Sequence, residues 1–260
     1  MLRNVATLYQ YRELLWIWVL RTIKVRYKQS ALGVLWALLQ PLSLMLIFTL
    51  VFSMFVRVPT EGIPYPVFSY CALLPWTFFA TSISLGINSL TNNMNLVTKI
   101  YFPREILPIG VVAAGFFDFL IGLALFTVLL VFYQVPLSAT VLLLPVLLLV
   151  QIGLTLGVVL FASALNVFFR DIQFVVPLGI QLLMFATPVV YPVSLVPEPY
   201  RWIYMLNPMA ALIQAYRDVT ILGIWPNLGY VLPAAVVSLL VLLGGFLFFK
   251  RVEWQFADII

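Results

Sequence analysis

The sequence predicts an all-α integral membrane protein. Its plan is six transmembrane helices, an N-terminal amphipathic helix at the interface, and outer-side re-entrant half-helices between spans five and six. Three observations carry this. The chain is 64% hydrophobic and 9% charged, against about 25% charged residues in soluble domains, and its mean hydropathy is +1.11. Residues 31–56 carry no charge at all, a run longer than the roughly 20 residues a helix needs to cross the hydrocarbon core. Finally, the cations segregate. With six spans and both termini inside, eleven of the 14 Lys and Arg are cytoplasmic: six in residues 1–28, then Lys99, Arg104, Arg170, Lys250 and Arg251. Only Arg57, Arg201 and Arg217 fall outside, as the positive-inside rule requires. A five-span arrangement would carry Lys250 and Arg251 outward and weaken that fit. A transmembrane barrel would need short-period alternation of apolar and polar residues, which these runs lack.

Residues 1–30 form the cytoplasmic interfacial region, and residues 31–260 the six-span domain. In the first region Leu8, Tyr11, Leu15, Trp18 and Ile23 recur near helical period, with Arg21, Lys24 and Lys28 on another face. That pattern fits a helix lying in the inner interface, with Trp16 and Trp18 at headgroup depth. It serves as an anchor alone, or as an anchor with a docking surface. The first span contains Pro41, which removes a backbone donor and kinks the helix; the carbonyl it frees needs a protein neighbour or a wet cavity. The second span, residues 68–90, turns semi-polar towards its end (Thr81, Ser82, Ser84, Asn88), which suits close helix approach. A polar stretch, residues 91–105, follows, and residues 95–101 can form a short helix stopped before Pro103. The third span, residues 106–133, holds Asp118, a carboxylate that must face partners or water. It is either a structural hydrogen bond or part of a path. The fourth span, residues 140–169, contains Gly153-x-x-x-Gly157, which reads as helix packing within one subunit ahead of dimerisation. The fifth, residues 172–191, is short.

Residues 192–227 are too long for a turn, too apolar for a free loop and too interrupted for a span. Asn207 and Pro208 supply an N-cap and first helical position, predicting a helix over 209–222 with Gly223 near its end and a shorter helix over 200–206. Together they read as half-helices dipping into the outer leaflet, or as a flap on the lipid surface. The sixth span runs over residues 228–249 and is stopped inside by Lys250 and Arg251. The apolar run before Arg21 has no small-residue cleavage site after it, so a cleavable signal peptide is not expected.

Much chemistry is missing. There is no histidine, and a single cysteine, Cys71, rules out an internal disulfide or a cysteine-based metal cluster. No phosphate-cradling G-x-x-x-x-G-K-[ST] occurs, and no membrane carboxylate pair stands at acid/base or ligand spacing. Catalytic and metal-binding residues are therefore not assigned. The buried charges of a proton-coupled carrier are absent, and no inverted repeat is evident. Energy for uphill movement would have to come from another subunit.

Arg26-Tyr27-Lys28-Gln29-Ser30, then Leu32-Gly33-x-Leu35-Trp36 and Pro41-Leu42, resemble the first-span signature of type-2 ABC transporter permeases. Lys99-x-x-Phe102-Pro103-Arg104-Glu105, Phe169-Arg170-Asp171, Pro188-x-x-Tyr191-Pro192, Asn207-Pro208 and Tyr216-Arg217 agree in order and spacing. The resemblance runs over essentially the whole chain and is strongest to the branch that exports polysaccharides (O-antigen, capsule, teichoic acid). It implies a homodimer in the bacterial inner membrane, joined to two copies of a cytoplasmic ATP-binding subunit that holds ATP and Mg; this chain would bind no cofactor itself. It further implies a coupling loop over residues 91–105, with Asn95, Lys99, Tyr101, Phe102, Pro103, Arg104, Glu105 and, from the N-terminal helix, Arg12 contacting the ATPase. The segment 192–227 becomes an outer gate, with Tyr200, Trp202, Tyr204, Asn207, Pro208, Tyr216 and Arg217. The cargo is a glycan on an undecaprenyl-type lipid, and nucleic acid is not a partner.

A glycan path asks for rings that stack on sugars and for hydroxyl or amide groups. Trp36, Gln40, Phe48, Phe52, Asp118, Gln181, Phe185 and Tyr191 are the candidates, although lipid-facing bulk and interface belts also account for many aromatic residues. The expected function is the permease subunit of an ATP-driven exporter of lipid-linked polysaccharide. The alternatives are an ABC exporter of a small lipid or drug, a stand-alone membrane channel, or a membrane enzyme acting on lipid-linked sugars.

Overall fold

The structure is a computed structural model, and it describes residues 9–28, 32–60 and 62–256. Leu8, Gln29 and Ser30, named above, lie outside the described residues. Helices are the regular structure of the described residues, which contain no strands. Helix α1 is Arg12–Tyr27. Helix α2 is Trp36–Phe48 and continues through Pro41 into a π-helical segment, Thr49–Phe55. Then come α3, Tyr65–Gly86; α4, Met94–Lys99; α5, Ile106–Phe132; α6, Leu144–Phe168; and α7, Ile172–Phe185. The chain closes with α8, Glu198–Tyr204; α9, Pro208–Arg217, extended by a π-helical turn, Asp218–Leu222; and α10, Leu228–Val252.

Five of these are long and apolar enough to cross a membrane: Gly33–Phe55, Tyr65–Gly86, Ile106–Phe132, Ala139–Phe168 and Leu228–Gln255. They match predicted spans one to four and six within a few residues. The predicted fifth span does not form one helix. Helix α7 has 14 residues, roughly 21 Å at 1.5 Å per residue, against a core of about 30 Å. It ends at Phe185, and the chain passes Pro188 in non-helical turns before residue 192. A proline there cannot continue a hydrogen-bonded helix.

Helix α3 is the centre of the bundle. Most of its residues are buried, from Tyr65 to Gly86, while α2 and α7 sit on the outside and α7 buries none. Two polar contacts fix heights along α3. At one end Tyr65 Oη donates to the Val190 carbonyl at 2.8 Å; at the other, Asn166 Nδ2 donates to the Ile87 carbonyl at 3.2 Å. Helices α6 and α10 cross at glycines. A Cβ on Gly157 would lie 2.6 Å from the Leu242 backbone, and Gly245 faces the Gly157 carbonyl. Gly157 thus serves packing inside one subunit, while Gly153 meets only ordinary contact.

Helix α1 does not simply lie across the bundle. Trp18 is flush against Gly110, and eight residues further along both helices Arg26 and Tyr27 bond Asp118. Helix α1 therefore runs alongside the first half of α5. The face predicted as apolar (Tyr11, Leu15, Trp18, Ile23) is partly buried, whereas Trp16, Ile17 and Val25 are exposed.

The segment after α7 has the predicted caps. Asn207 Oδ1 accepts from the Met209 backbone amide at 3.0 Å with Pro208 at the first helical position. Gly223, at φ +67°, ends the π-helical turn in the left-handed conformation that glycine adopts without steric cost. Helix α9 is buried almost entirely and packs against α3 and α10.

Candidate functional site

A cavity of about 630 Å³ opens between α1, α2, α3 and α5. Trp18 and Arg21 of α1 stand on one wall, with the Arg21 guanidinium 4.4 Å from the Trp18 ring centroid. Trp36 and Gln40 of α2 form another. Thr77 and Thr81 of α3, with Asn92 and Asn93 beyond it, supply hydroxyl and amide groups. Asp118 of α5 also lines it, paired with Arg26, and Tyr27 Oη donates to its other oxygen at 2.5 Å. A guanidinium and a phenol together partner the carboxylate, as a carboxyl group within an apolar helix requires. The lining offers rings, hydroxyls and amides, a surface suited to binding a polar chain. It carries no nucleophile beside a base.

Of the predicted path residues, Trp36, Gln40 and Asp118 meet in this cavity. Phe48 and Phe52 do not: they pack edge to face at 5.9 Å near the other end of α2, and Phe52 stacks on Tyr65 at 6.5 Å. Gln181 and Phe185 lie exposed on α7. Tyr191 is tied down, its hydroxyl donating to the Phe185 carbonyl at 2.7 Å and lying 3.0 Å from Tyr204 Oη. These residues form no continuous lining within one copy.

The predicted coupling residues divide by face. Asn95 and Lys99 are exposed, Tyr101 is 96% exposed, and Arg12 is exposed with its guanidinium over the Tyr9 ring. Phe102 and Pro103 are partly buried. Arg104 and Glu105 turn inward: Arg104 donates to the Glu253 carbonyl, and Glu105, 0% exposed, pairs with Lys250 at 2.8 Å.

The predicted gate residues divide likewise. Tyr200 and Trp202 are exposed. Tyr204 bonds Tyr191, and Asn207 Nδ2 donates to the Ala186 carbonyl at 3.2 Å and to Thr187 Oγ1 at 2.9 Å. Arg217 is 3% exposed. It donates to the Val189 carbonyl at 2.9 Å and the Tyr191 carbonyl at 3.4 Å, and its guanidinium carbon sits 3.7 Å from the Phe68 ring centroid. Burial pulls its pKa down to about 10, which leaves it cationic at neutral pH. Carbonyl dipoles and the aromatic face stabilise that charge. Asn207, Arg217 and Tyr65 thus satisfy the carbonyls freed where α7 unwinds.

The sequence reading missed Gln151. It is fully buried, its Nε2 donates to the Pro75 carbonyl at 2.7 Å, and its Oε1 accepts from Tyr216 Oη at 2.7 Å. A lone amide inside an apolar span was the available signal. Lys250 was read as a stop signal only, and its partner Glu105 was not foreseen.

The family model of the ABC-2 type transporter matches residues 13–221. The chain belongs to the ABC-2 type transporter family. Relatives of this ABC-2 chain include the O-antigen export system permease protein RfbA of Myxococcus xanthus, 36% identical over 99% of both chains. A protein of the same name from Klebsiella pneumoniae is 32% identical over 92% of both. The polysialic acid transport protein KpsM of Escherichia coli is 25% identical over 78% of this chain and 80% of its own. The family match extends through the first four candidate spans, so the cavity, the unwound end of α7 and the buried α9 all lie within the aligned ABC-2 region. It is a multi-pass membrane protein.

Proposed function

We propose that this chain is the membrane-spanning permease subunit of an ATP-driven exporter of lipid-linked polysaccharide of O-antigen type, moving it from the cytoplasmic to the outer side of the inner membrane. The observation that carries this is similarity over nearly the full length of both chains to an O-antigen export permease. The cavity suits it: Trp18 and Trp36 offer rings to sugar faces, and Thr77, Thr81, Asn92 and Asn93 offer hydrogen bonds.

Six crossings with both termini cytoplasmic remain our reading. Asn166, at the end of α6, bonds beside Ile87 at one end of α3, and Val190 bonds Tyr65 at the other. The chain from 166 to 190 therefore traverses the same height as α3, with α7 supplying the helical part and residues 186–190 the rest. Helices α8 and α9 then act as the outer gate. The Lys250–Glu105 pair puts the end of α10 beside the start of α5, which suits a shared cytoplasmic side for the loop and the C-terminal end.

The permease works as a homodimer with two copies of a separate ATP-binding subunit, which holds ATP and Mg. The exposed apolar faces of α2 and α7 are where a second copy packs, joining the half-paths. The exposed face of α4 and the following loop meets the ATPase. Purification from the native membrane should bring down a nucleotide-binding chain, and Tyr101→Asp should cut its recovery about tenfold by putting a charge on the contact. Export of glycan without any such chain would overturn the reading.

A further inference from the structure

Resting on the coupling role just proposed, one feature of the loop goes further. Its two faces differ sharply. Asn95, Lys99 and Tyr101 face solvent, while Val97, Glu105 and Leu107 are buried. The inner face is gripped by the far end of the chain. Lys250 Nζ sits 2.8 Å from Glu105 Oε2 and 3.0 Å from Glu253 Oε2. Arg104 donates to the Glu253 carbonyl and lies 5.9 Å from the Phe256 ring centroid. Phe256 is itself fully buried, 5.3 Å from the Phe249 ring, in one apolar cluster with Val97 and Leu107. Loop, α10 end and the turn after it form one packed body. A packed interior transmits displacement without absorbing it, and α10 is locked onto α6 by the Gly157–Gly245 contact.

We propose that Glu105 and Lys250 are positioning residues for coupling: their ion pair fastens the loop to α10, so that a push on the exposed loop face is delivered to α10 and, through it, to α6. A carboxylate with no exposure needs its partner charge. A purely structural role would nevertheless be filled by a neutral pair of similar shape, whereas a fastening role would not.

The test compares Glu105→Gln/Lys250→Met with the charge exchange Glu105→Lys/Lys250→Glu, made together with Glu253→Gln so that the new carboxylate at 250 does not face Glu253, and with wild type. Each is expressed with the co-purifying ATPase in cells lacking the chromosomal copy. Surface carbohydrate is labelled on intact cells by periodate and a hydrazide dye, and ATP hydrolysis is measured on the purified complex. The neutral pair should assemble, yet deliver about tenfold less surface carbohydrate per ATP hydrolysed; the exchanged pair should return to within about threefold of wild type. A neutral pair that exports at the wild-type ratio overturns the inference. So does an exchanged pair that assembles and stays uncoupled. Should the exchanged pair not assemble, the neutral pair alone decides. A wild type that brings down no ATPase would strike instead at the proposed function.

Discussion

At the residue scale the buried polar side chains decide most. Gln151 spans α3, α6 and α9 with two hydrogen bonds. Gln151→Leu keeps the volume but strands the Tyr216 hydroxyl, which costs about 1–3 kcal/mol for a buried group left unpaired. Thermal unfolding in detergent should show that loss, and an unchanged midpoint would mean that the hydroxyl finds another partner. Arg217 shows what was and was not legible. Its family motif was visible in the sequence, and charge counting predicts an outer location. That it points inward, onto carbonyls of an unwound helix end and the face of Phe68, depends on contacts between residues 149 or fewer positions apart along three elements, which no local pattern encodes. The same holds for Glu105 and Lys250, which lie 145 positions apart along the chain. Trp36, Gln40 and Asp118 were named singly and do converge, because each stood out as polar or aromatic within an apolar helix.

At the element scale, helices were legible wherever uncharged runs were long, since hydropathy and length alone set them. Asn207 and Gly223 marked the ends of buried α9 and its π-helical turn through cap chemistry that needs no tertiary partner. Helix α7 was less legible. Its composition is as apolar as its neighbours', but Pro188 and the side chains that capture residues 186, 189, 190 and 191 break it early. Cysteines placed at Arg170 and at Ser194, in a Cys71→Ser background, should react with membrane-impermeant maleimide from opposite faces of sealed vesicles. Reaction from one face only would reduce the bundle to five crossings.

At the scale of the whole molecule, α3 and the helices around it form a buried body, and α2 and α7 lie outside it with apolar faces open to lipid or to a second copy. That division suits the proposed dimer, with α8 and α9 bound to the end of α7 and the loop after α4 bound to α10. One consequence concerns the lone thiol. Cys71, 3% exposed, lies 3.3 Å from Thr220 Oγ1, beneath the π-helical turn that follows α9. Whatever swings that turn away uncovers the sulfur, so the protein carries its own tell-tale. N-ethylmaleimide should modify Cys71 slowly at rest and several-fold faster while the transporter cycles with ATP; a rate indifferent to turnover would mean that the cap over the thiol never lifts.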